Sequence, residues 1–385
     1  MADTMTKAHS DIPFNRAALV GNEWKYLAET VRMGHIAGDG FYTLRCHDFI
    51  EKELGVHKAL LTTSCTHALE LAALLLDLKE GDEVVLPAFT FVSVANAFVL
   101  RGAKPVFADI RPDTLNLDEK KIPELITTNT RAIVPMHYAG VSCEMETILE
   151  IARKQNVAVV EDNAHGLFGK YRGKFLGTFG CLATLSFHET KNITCGEGGA
   201  LLINDARLVE RAEIIRQKGT DRARFFRGEV DKYTWVDVGS SYLPSDMLAA
   251  FLLAQLEARE RIQAARQRIW ERYHSGLKDW AERNDVRLPT VPIDCHQAYH
   301  LFYLLLPSLE QRRQFIAHLK ERGIGSVFHY VPLHTSEMGR RYGGAPGDCP
   351  VAEMVSDRLV RLPLYNQLSE IEQARVIDAI REIKV

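Results

Sequence analysis

Val159-Val160-Glu161-Asp162-Asn163-Ala164-His165 and, further along, Leu185-Ser186-Phe187-His188-Glu189-Thr190-Lys191-Asn192-Ile193-Thr194 are the stretches that decide the fold. Each begins as a short apolar run, and the first stops at an acid while the second leads to a lysine. Open α/β sheets gather their ligands at the carboxyl ends of strands, so two such runs in one sheet set an acid and an amine at one edge. That pair suits the two chemical ends of a pyridoxal phosphate (PLP) ring. The Lys191 amine would bond to the aldehyde, and the Asp162 carboxylate would pair with the protonated pyridine nitrogen and keep the ring an electron sink. A cofactor enzyme is the expectation.

The surrounding chain has the matching texture. From about residue 55 to 205, β-branched runs alternate with helical patterns, the mark of an α/β fold with a mainly parallel sheet. Strands are predicted at Lys58–Thr62, Glu83–Leu86, Pro105–Asp109, Ala132–His137, Val157–Glu161, Thr184–Phe187 and Ala200–Ile203, with helices around Leu69–Leu76 and Ile148–Lys154. Gly81-Asp82 and Gly102 punctuate the elements as turns. The stretch from Met247 to about Tyr273 is charged and free of Gly and Pro, and reads as one extended helix leaving the larger part. Beyond it, Tyr299–Leu306, a helix near Arg312–Arg322, Val327–Tyr330 and a final helix from about Ser369 fit a compact α+β unit. The predicted division is a large domain over residues 1–248 and a small C-terminal domain over 249–385.

Two further stretches fall at strand ends. Thr62-Thr63-Ser64-Cys65-Thr66-His67-Ala68-Leu69 is a small polar turn opening into a helix, whose free N–H groups and dipole suit a phosphate dianion; on its own, an ordinary Ser/Thr N-cap explains it better. Pro87-Ala88-Phe89-Thr90-Phe91 sets an aromatic past the second strand, available to stack on a flat ring or to fill the core. Asp162 alone reads as a strand-end acid and Lys191 alone as a surface charge. Their arrival in order at successive strand ends favours the functional reading.

Composition excludes other classes. With 385 residues, 46% hydrophobic and 25% charged, the chain can bury a sizeable core. A formal net charge of -3 and the lack of a dense Lys/Arg tract argue against a nucleic-acid partner. The 7 cysteines (46, 65, 143, 181, 195, 295 and 349) are scattered without a CxxC pair or metal-ligand spacing, so no metal is expected and reduced thiols in a cytoplasmic protein are the simplest reading. Met1-Ala2-Asp3-Thr4-Met5-Thr6-Lys7 lacks the apolar stretch of a secretory signal, and no run approaches the roughly 18 apolar residues of a membrane span. No GxGxxG follows the first strand, which disfavours a nicotinamide-dependent oxidoreductase.

Taken together, the motifs resemble the DegT/DnrJ/EryC1/StrS family of sugar aminotransferases, over nearly the whole chain. The pattern Ser-Gly-Thr-x-Ala-Leu is Ser64-Cys65-Thr66-His67-Ala68-Leu69 here, Gly-Asp-Glu-Val-x-x-Pro spans Gly81 to Pro87, and Glu-Asp-x-Ala-Gln/His is Glu161 to His165. Ser186–Lys191 and Gly196–Gly199 match the lysine segment and its glycine-rich sequel. The resemblance implies a PLP-dependent transferase of fold type I, like aspartate aminotransferase, acting as a homodimer. Position by position it implies that Lys191 bonds the cofactor, Asp162 pairs with the pyridine nitrogen and His165 lies near the phenolic oxygen. Phe89 would stack on the ring, and Cys65, Thr66 and Ser186 would hold the phosphate. The family's Gly-Tyr-Asn-Tyr segment, which reaches across the dimer, reads Gly239-Ser240-Ser241-Tyr242, so Ser241 replaces the asparagine. Cys65 stands where the family usually has glycine and is expected to contact the phosphate through its backbone only.

In the C-terminal part, Phe328-His329-Tyr330-Val331-Pro332-Leu333-His334 resembles the stretch facing the sugar, so His329 and His334 are substrate candidates beside the alternative of ordinary surface or core histidines. The related sugar 3-dehydratases carry histidine at the lysine position; Lys191 therefore favours transamination. Longer stretches, among them Thr90–Ser93, Ala95–Lys104, His137–Val141 and Arg224–Trp235, resemble the branch that serves enterobacterial common antigen synthesis. That implies L-glutamate as donor, the C4 ketone of dTDP-4-dehydro-6-deoxy-D-glucose as acceptor, and dTDP-4-amino-4,6-dideoxy-D-galactose and 2-oxoglutarate as products. Arg222, Arg224, Arg227 and Lys232 are available for the nucleotide diphosphate or form a solvated basic loop. The alternatives are the 4-amino gluco epimer, a 3-amino sugar, and a PLP-binding regulator without turnover.

Overall fold

The computed structural model describes residues 11–384; the Met1–Lys7 stretch lies outside them. A seven-stranded sheet forms the centre, built from β1 (Lys58–Thr62), β2 (Glu83–Pro87), β3 (Lys104–Ala108), β4 (Thr130–Ile133), β5 (Ala158–Asp162), β6 (Leu182–Ser186) and β7 (Gly199–Ile203). Its order is β1-β7-β6-β5-β4-β2-β3. Strands β2 to β6 pair in parallel, while β7 runs antiparallel to both β1 and β6. This is the mainly parallel α/β sheet expected. The register sets Asp162 opposite Thr184, and both Thr62 and Ser186 opposite Gly199, so β1, β5 and β6 end at one edge.

Side chains alternate across the strands, which is why both faces of the sheet are covered. Leu60, Leu182, Leu201 and Ile203 pack under α3 (Cys65–Leu75), whose Leu69, Ala72, Ala73 and Leu75 are buried. On the opposite face, Leu61, Leu185 and Leu202 meet α2 (Phe41–Leu54) and a later helix (Asp246–Glu257). Asp246 ties these two helices together, accepting from the Thr43 amide at 2.7 Å and the Tyr42 amide at 3.2 Å, where α2 has no side-chain cap of its own. A further N-terminal helix (Glu23–Met33), like α2, carried no strong signal in the sequence reading.

Several expected boundaries shift for physical reasons. The strand predicted over Ala132–His137 is regular only to Ile133; past Pro135, which has no N–H to donate, it keeps a single bridge from Met136 to Asp162, and the chain turns at Tyr138–Gly140 through a left-handed Ala139 with φ 58. The single long helix predicted from Met247 is two helices, Asp246–Glu257 and Arg259–Arg283, broken at Ala258 with φ -92 and ψ 9. The first helix is buried in the sheet's cluster, and the second presents Ile269, Trp270, Tyr273, Leu277 and Trp280, spaced three and four apart, to a separate C-terminal cluster with Phe302, Phe315 and Ile380. Within that part, Tyr299–Leu306 yields only the short strand Tyr303–Leu305, paired with Leu359–Arg361, because Tyr299 adopts a left-handed φ of 53. Val327–Tyr330 forms no strand beyond one bridge from Val327 to Arg361. The last helix (Glu370–Arg381) starts at the predicted Ser369, held by a capping box with Glu372.

Candidate active site

At the shared strand edge, Asp162 is 3% exposed and its Oδ1 accepts from the Ala164 amide at 3.0 Å. Burial pushes its carboxyl up from the usual range, and the Ala164 N–H and the Lys191 charge partly offset that. The neighbouring Glu161 points to the other side of β5, where it accepts from the Gly177, Phe179 and Gly180 amides at 2.8, 2.7 and 2.8 Å and meets His137 Nε2 at 2.9 Å. Glu161 fixes the 177–180 turn and leaves Asp162 alone to face the site.

Lys191 sits in the turn after β6, its amide donating to the His188 carbonyl at 2.9 Å. Burial lowers the amine to about 8, against the favourable interactions with Cys65 and Asp162 and with added repulsion from Arg361. At neutral pH such an amine keeps a neutral fraction that an exposed lysine lacks.

The turn after β1 opens α3. Ser64 is the N-cap, accepting from the His67 amide at 3.1 Å, which leaves the Cys65 and Thr66 amides in the first turn without helical acceptors. Thr66 Oγ1 donates to Ser93 Oγ at 2.8 Å. Cys65 is helical, so no left-handed strain arises at the position. Its thiol lies 3.5 Å from Thr184 Oγ1, and burial pushes it up to about 12. Gly199 explains how β7 fits beneath this turn: a Cβ there would lie 2.4 Å from both Cys65 N and Ser64 C. Ser186 closes β6 at the same level, with its Oγ 3.5 Å from the His188 amide.

Phe89 is 1% exposed and its ring packs 5.3 Å from Tyr138 and 5.4 Å from Tyr330. His165 is buried and stacks 4.1 Å from His300 and 6.0 Å from His329. Burial, with Lys191 and Arg361 adding to it, holds His165 well below its ordinary range, so the ring is neutral. His329 Nδ1 meets the Tyr138 hydroxyl at 3.0 Å. The structure therefore brings Lys191, Asp162, Cys65, His165 and His329 into one electrostatically coupled cluster, with Phe89 beside it.

One expected residue lies elsewhere, and one expected to act across a dimer sits at the surface. His334 is fully buried against Glu353 at 2.9 Å and does not join the cluster. Ser241 is exposed and bridges Gln217, while its neighbour Tyr242 packs on His67 at 5.3 Å. In the basic loop, Arg224 pairs with Glu229 and Arg227 with Glu213 and Glu229, whereas Arg222 lies over the Phe226 and Tyr233 rings. Sequence reading missed His300 and Arg361, which sit in the C-terminal part with no motif around them, and gave no role to Tyr330 inside the Phe328–His334 stretch. A lone buried histidine or arginine carries no pattern until the fold supplies its neighbours.

These residues fit PLP. Asp162 is a buried carboxylate short of counter-charge, the His165 Nδ1 and Thr90 Oγ1 atoms are buried without partners, and the start of α3 offers free amides for a phosphate. Among the described residues no His/Cys/Asp/Glu group could hold a metal ion, no helix is long and apolar enough to cross a membrane, and the cysteines are free.

Comparison with known proteins is consistent with this geometry. The model of the DegT/DnrJ/EryC1/StrS aminotransferase family matches residues 19–381. Spore coat polysaccharide biosynthesis protein SpsC of Bacillus subtilis is 31% identical over 389 aligned residues, covering 98% of each chain. The crystal structure of the aminotransferase TlmJ from Streptoalloteichus hindustanus superposes with a TM-score of 0.88 at 30% identity, covering 96% of this chain and 98% of that one. Spr1654 from Streptococcus pneumoniae, in its PLP-form, superposes with a TM-score of 0.89 at 26% identity, covering 97% and 98%.

Proposed function

Since this chain belongs to the DegT/DnrJ/EryC1/StrS aminotransferase family, PLP-dependent enzymes of fold type I, we propose that it aminates C4 of dTDP-4-dehydro-6-deoxy-D-glucose. L-glutamate is the proposed donor, and dTDP-4-amino-4,6-dideoxy-D-galactose and 2-oxoglutarate are the products. The observation that carries the reading is the pairing of a half-buried Lys191 with a buried Asp162, each shifted by loss of water and each offsetting the other. The kinship with a polysaccharide biosynthesis protein supports a sugar acceptor, and the longer family-like stretches support this particular one.

PLP, when bound, supplies the electron sink that lets an amino group leave one carbon and join another. Lys191 Nζ, with a neutral fraction near pH 8, takes the proton from the donor's Cα and returns one to the acceptor carbon. Asp162 holds a proton on the ring nitrogen by charge. His165, neutral and buried, donates toward the phenolic oxygen, and Phe89 bounds the ring face. The amides of Cys65 and Thr66 with the Ser186 hydroxyl hold the phosphate. His329 is the proposed sugar contact from the C-terminal part; His334, engaged with Glu353, is left with a packing role.

The proposal includes a homodimer with Ser241 reaching the partner's phosphate site, and a division of the chain into a large and a small domain, moved from residue 248 to the break at Ala258 because the Asp246–Glu257 helix packs in the sheet's cluster. Exposed apolar side chains on the N-terminal helices, Trp24, Val31, Met33, Phe41 and Leu44, support an interface there. Incubation with PLP, L-glutamate and the dTDP-keto sugar, with NMR of the product, tests the function. An axial C4 nitrogen is expected; an equatorial one means the gluco epimer, and no product from PLP-loaded protein refutes the reading.

A further inference from the structure

His300 is buried, lies outside every motif, and has no part in the function set out above. It touches His165, which does, and Asn192, the residue next to Lys191. Asn192 follows Lys191 directly and is itself buried. Its amide nitrogen donates to the Ala298 carbonyl at 2.6 Å and to Gln263 Oε1 at 3.2 Å. A backbone carbonyl only accepts, so the amide orientation is fixed and Oδ1 faces His300 Nδ1 at 2.9 Å. Nδ1 must then carry the proton and donate, leaving Nε2 as the bare nitrogen of a neutral imidazole. Burial, followed by the charges around it, holds His300 well below its ordinary range and agrees with a neutral ring.

On its ring face His300 lies 4.1 Å from His165 with the planes 30° apart. Its backbone is pinned from behind, where buried Arg266 donates to the His300 carbonyl at 2.5 Å and to the Tyr299 carbonyl at 2.9 Å. An apolar side chain would fill the same volume without the desolvation cost of a buried amide and imidazole. The polar pair therefore has a purpose other than packing.

We propose that His300 is a positioning residue: through Asn192 it holds the turn that carries Lys191 against the 298–300 segment, and through its ring it sets the plane of His165. The inference rests on the roles given to Lys191 and His165 above. It makes the C-terminal part a working component of the proton-transfer geometry as well as a wall of the cleft.

The test is a pH titration of the visible absorbance of the PLP-loaded protein, with kinetics, for H300A, N192A, H300N and the double variant H300A/N192A. H300A and N192A should each shift the apparent pKa of the lysine-bound chromophore by about half a unit or more and lower kcat about tenfold, with the donor KM within about twofold. The double variant should be no worse than about the poorer single one, because either change cuts the same link. H300N, whose amide nitrogen takes the place of Nδ1, should recover much of the spectral shift. Circular dichroism identifies any variant that does not fold, and the remaining ones then decide.

Additive losses in the double variant overturn the proposal. So does an H300A protein that melts earlier with its spectral pKa unmoved, or H300N no better than H300A. A wild-type chain on which borohydride traps no cofactor at Lys191 sinks the underlying assignment and this inference with it; trapping with unaffected variants sinks this inference alone.

Discussion

Burial and charge oppose each other at Lys191. Loss of water lowers the amine from its ordinary value of 10.5 to about 8, and Cys65 and Asp162 restrain the fall. Capture of PLP by the cofactor-free protein needs the neutral amine, so its rate should rise about tenfold between pH 7 and pH 9 and level off beyond. A flat profile followed by visible absorbance contradicts this. Stability carries the same signature. Between about 8 and 10.5 the unfolded chain holds the proton more tightly than the folded one, so the amine's penalty is full below 8 and vanishes as the pH climbs past 10.5. Lys191→Met should therefore abolish turnover yet stabilise the cofactor-free protein at pH 7 by about 1–3 kcal/mol, an advantage absent near pH 11. Thermal melting at the two pH values checks it. Lys191, Asp162 and His165 were legible beforehand because each follows an apolar run with a periodicity of its own. His300, Asn192's acceptor role and Arg361 were not, since no local pattern distinguishes a buried polar residue from an exposed one.

Among the secondary elements, the junction of β7 and α3 shapes the turn proposed to hold the phosphate. Gly199 lies opposite Thr62 and Ser186, and its missing side chain lets the Ser64–Cys65 backbone approach. Gly199→Ala would set a methyl 2.4 Å from backbone atoms that cannot swing aside. The start of α3 should move off the sheet, at a cost of about 1–3 kcal/mol in urea unfolding and about tenfold or more in PLP affinity. Unchanged PLP binding in the variant refutes the role given to this turn. Strand and helix identities over 58–203 were readable because β-branched runs and helical periods alternate cleanly. Their edges were less so, as with β4, whose regular pairing ends at Ile133 with one later bridge from Met136 to Asp162, and the helix that breaks at Ala258. Nothing in the residues around Ala258 marks that break; it arises where one helix serves the sheet's core and the next serves another.

Taken as one body, the chain leaves an apolar face uncovered on its N-terminal helices, with Trp24 70%, Val31 58% and Leu44 55% exposed. Patches of that kind mark contact surfaces, and the proposed homodimer buries this one. Light scattering should give a dimer for the wild type and a monomer with unchanged circular dichroism for Leu44→Asp; a dimeric Leu44→Asp protein would place the interface elsewhere. The amino-acid order alone carried the α/β class, the acid and lysine at strand ends and the family, because these follow from local periodicity and from motifs short enough to read along the chain. Folding in three dimensions alone decided which distant residues share the cleft. His165, His300 and His329 come from three separate segments, and His334 was drawn away to Glu353. Burial and neighbouring charge, which set the ionisation of Lys191 and Asp162, exist only once those segments pack.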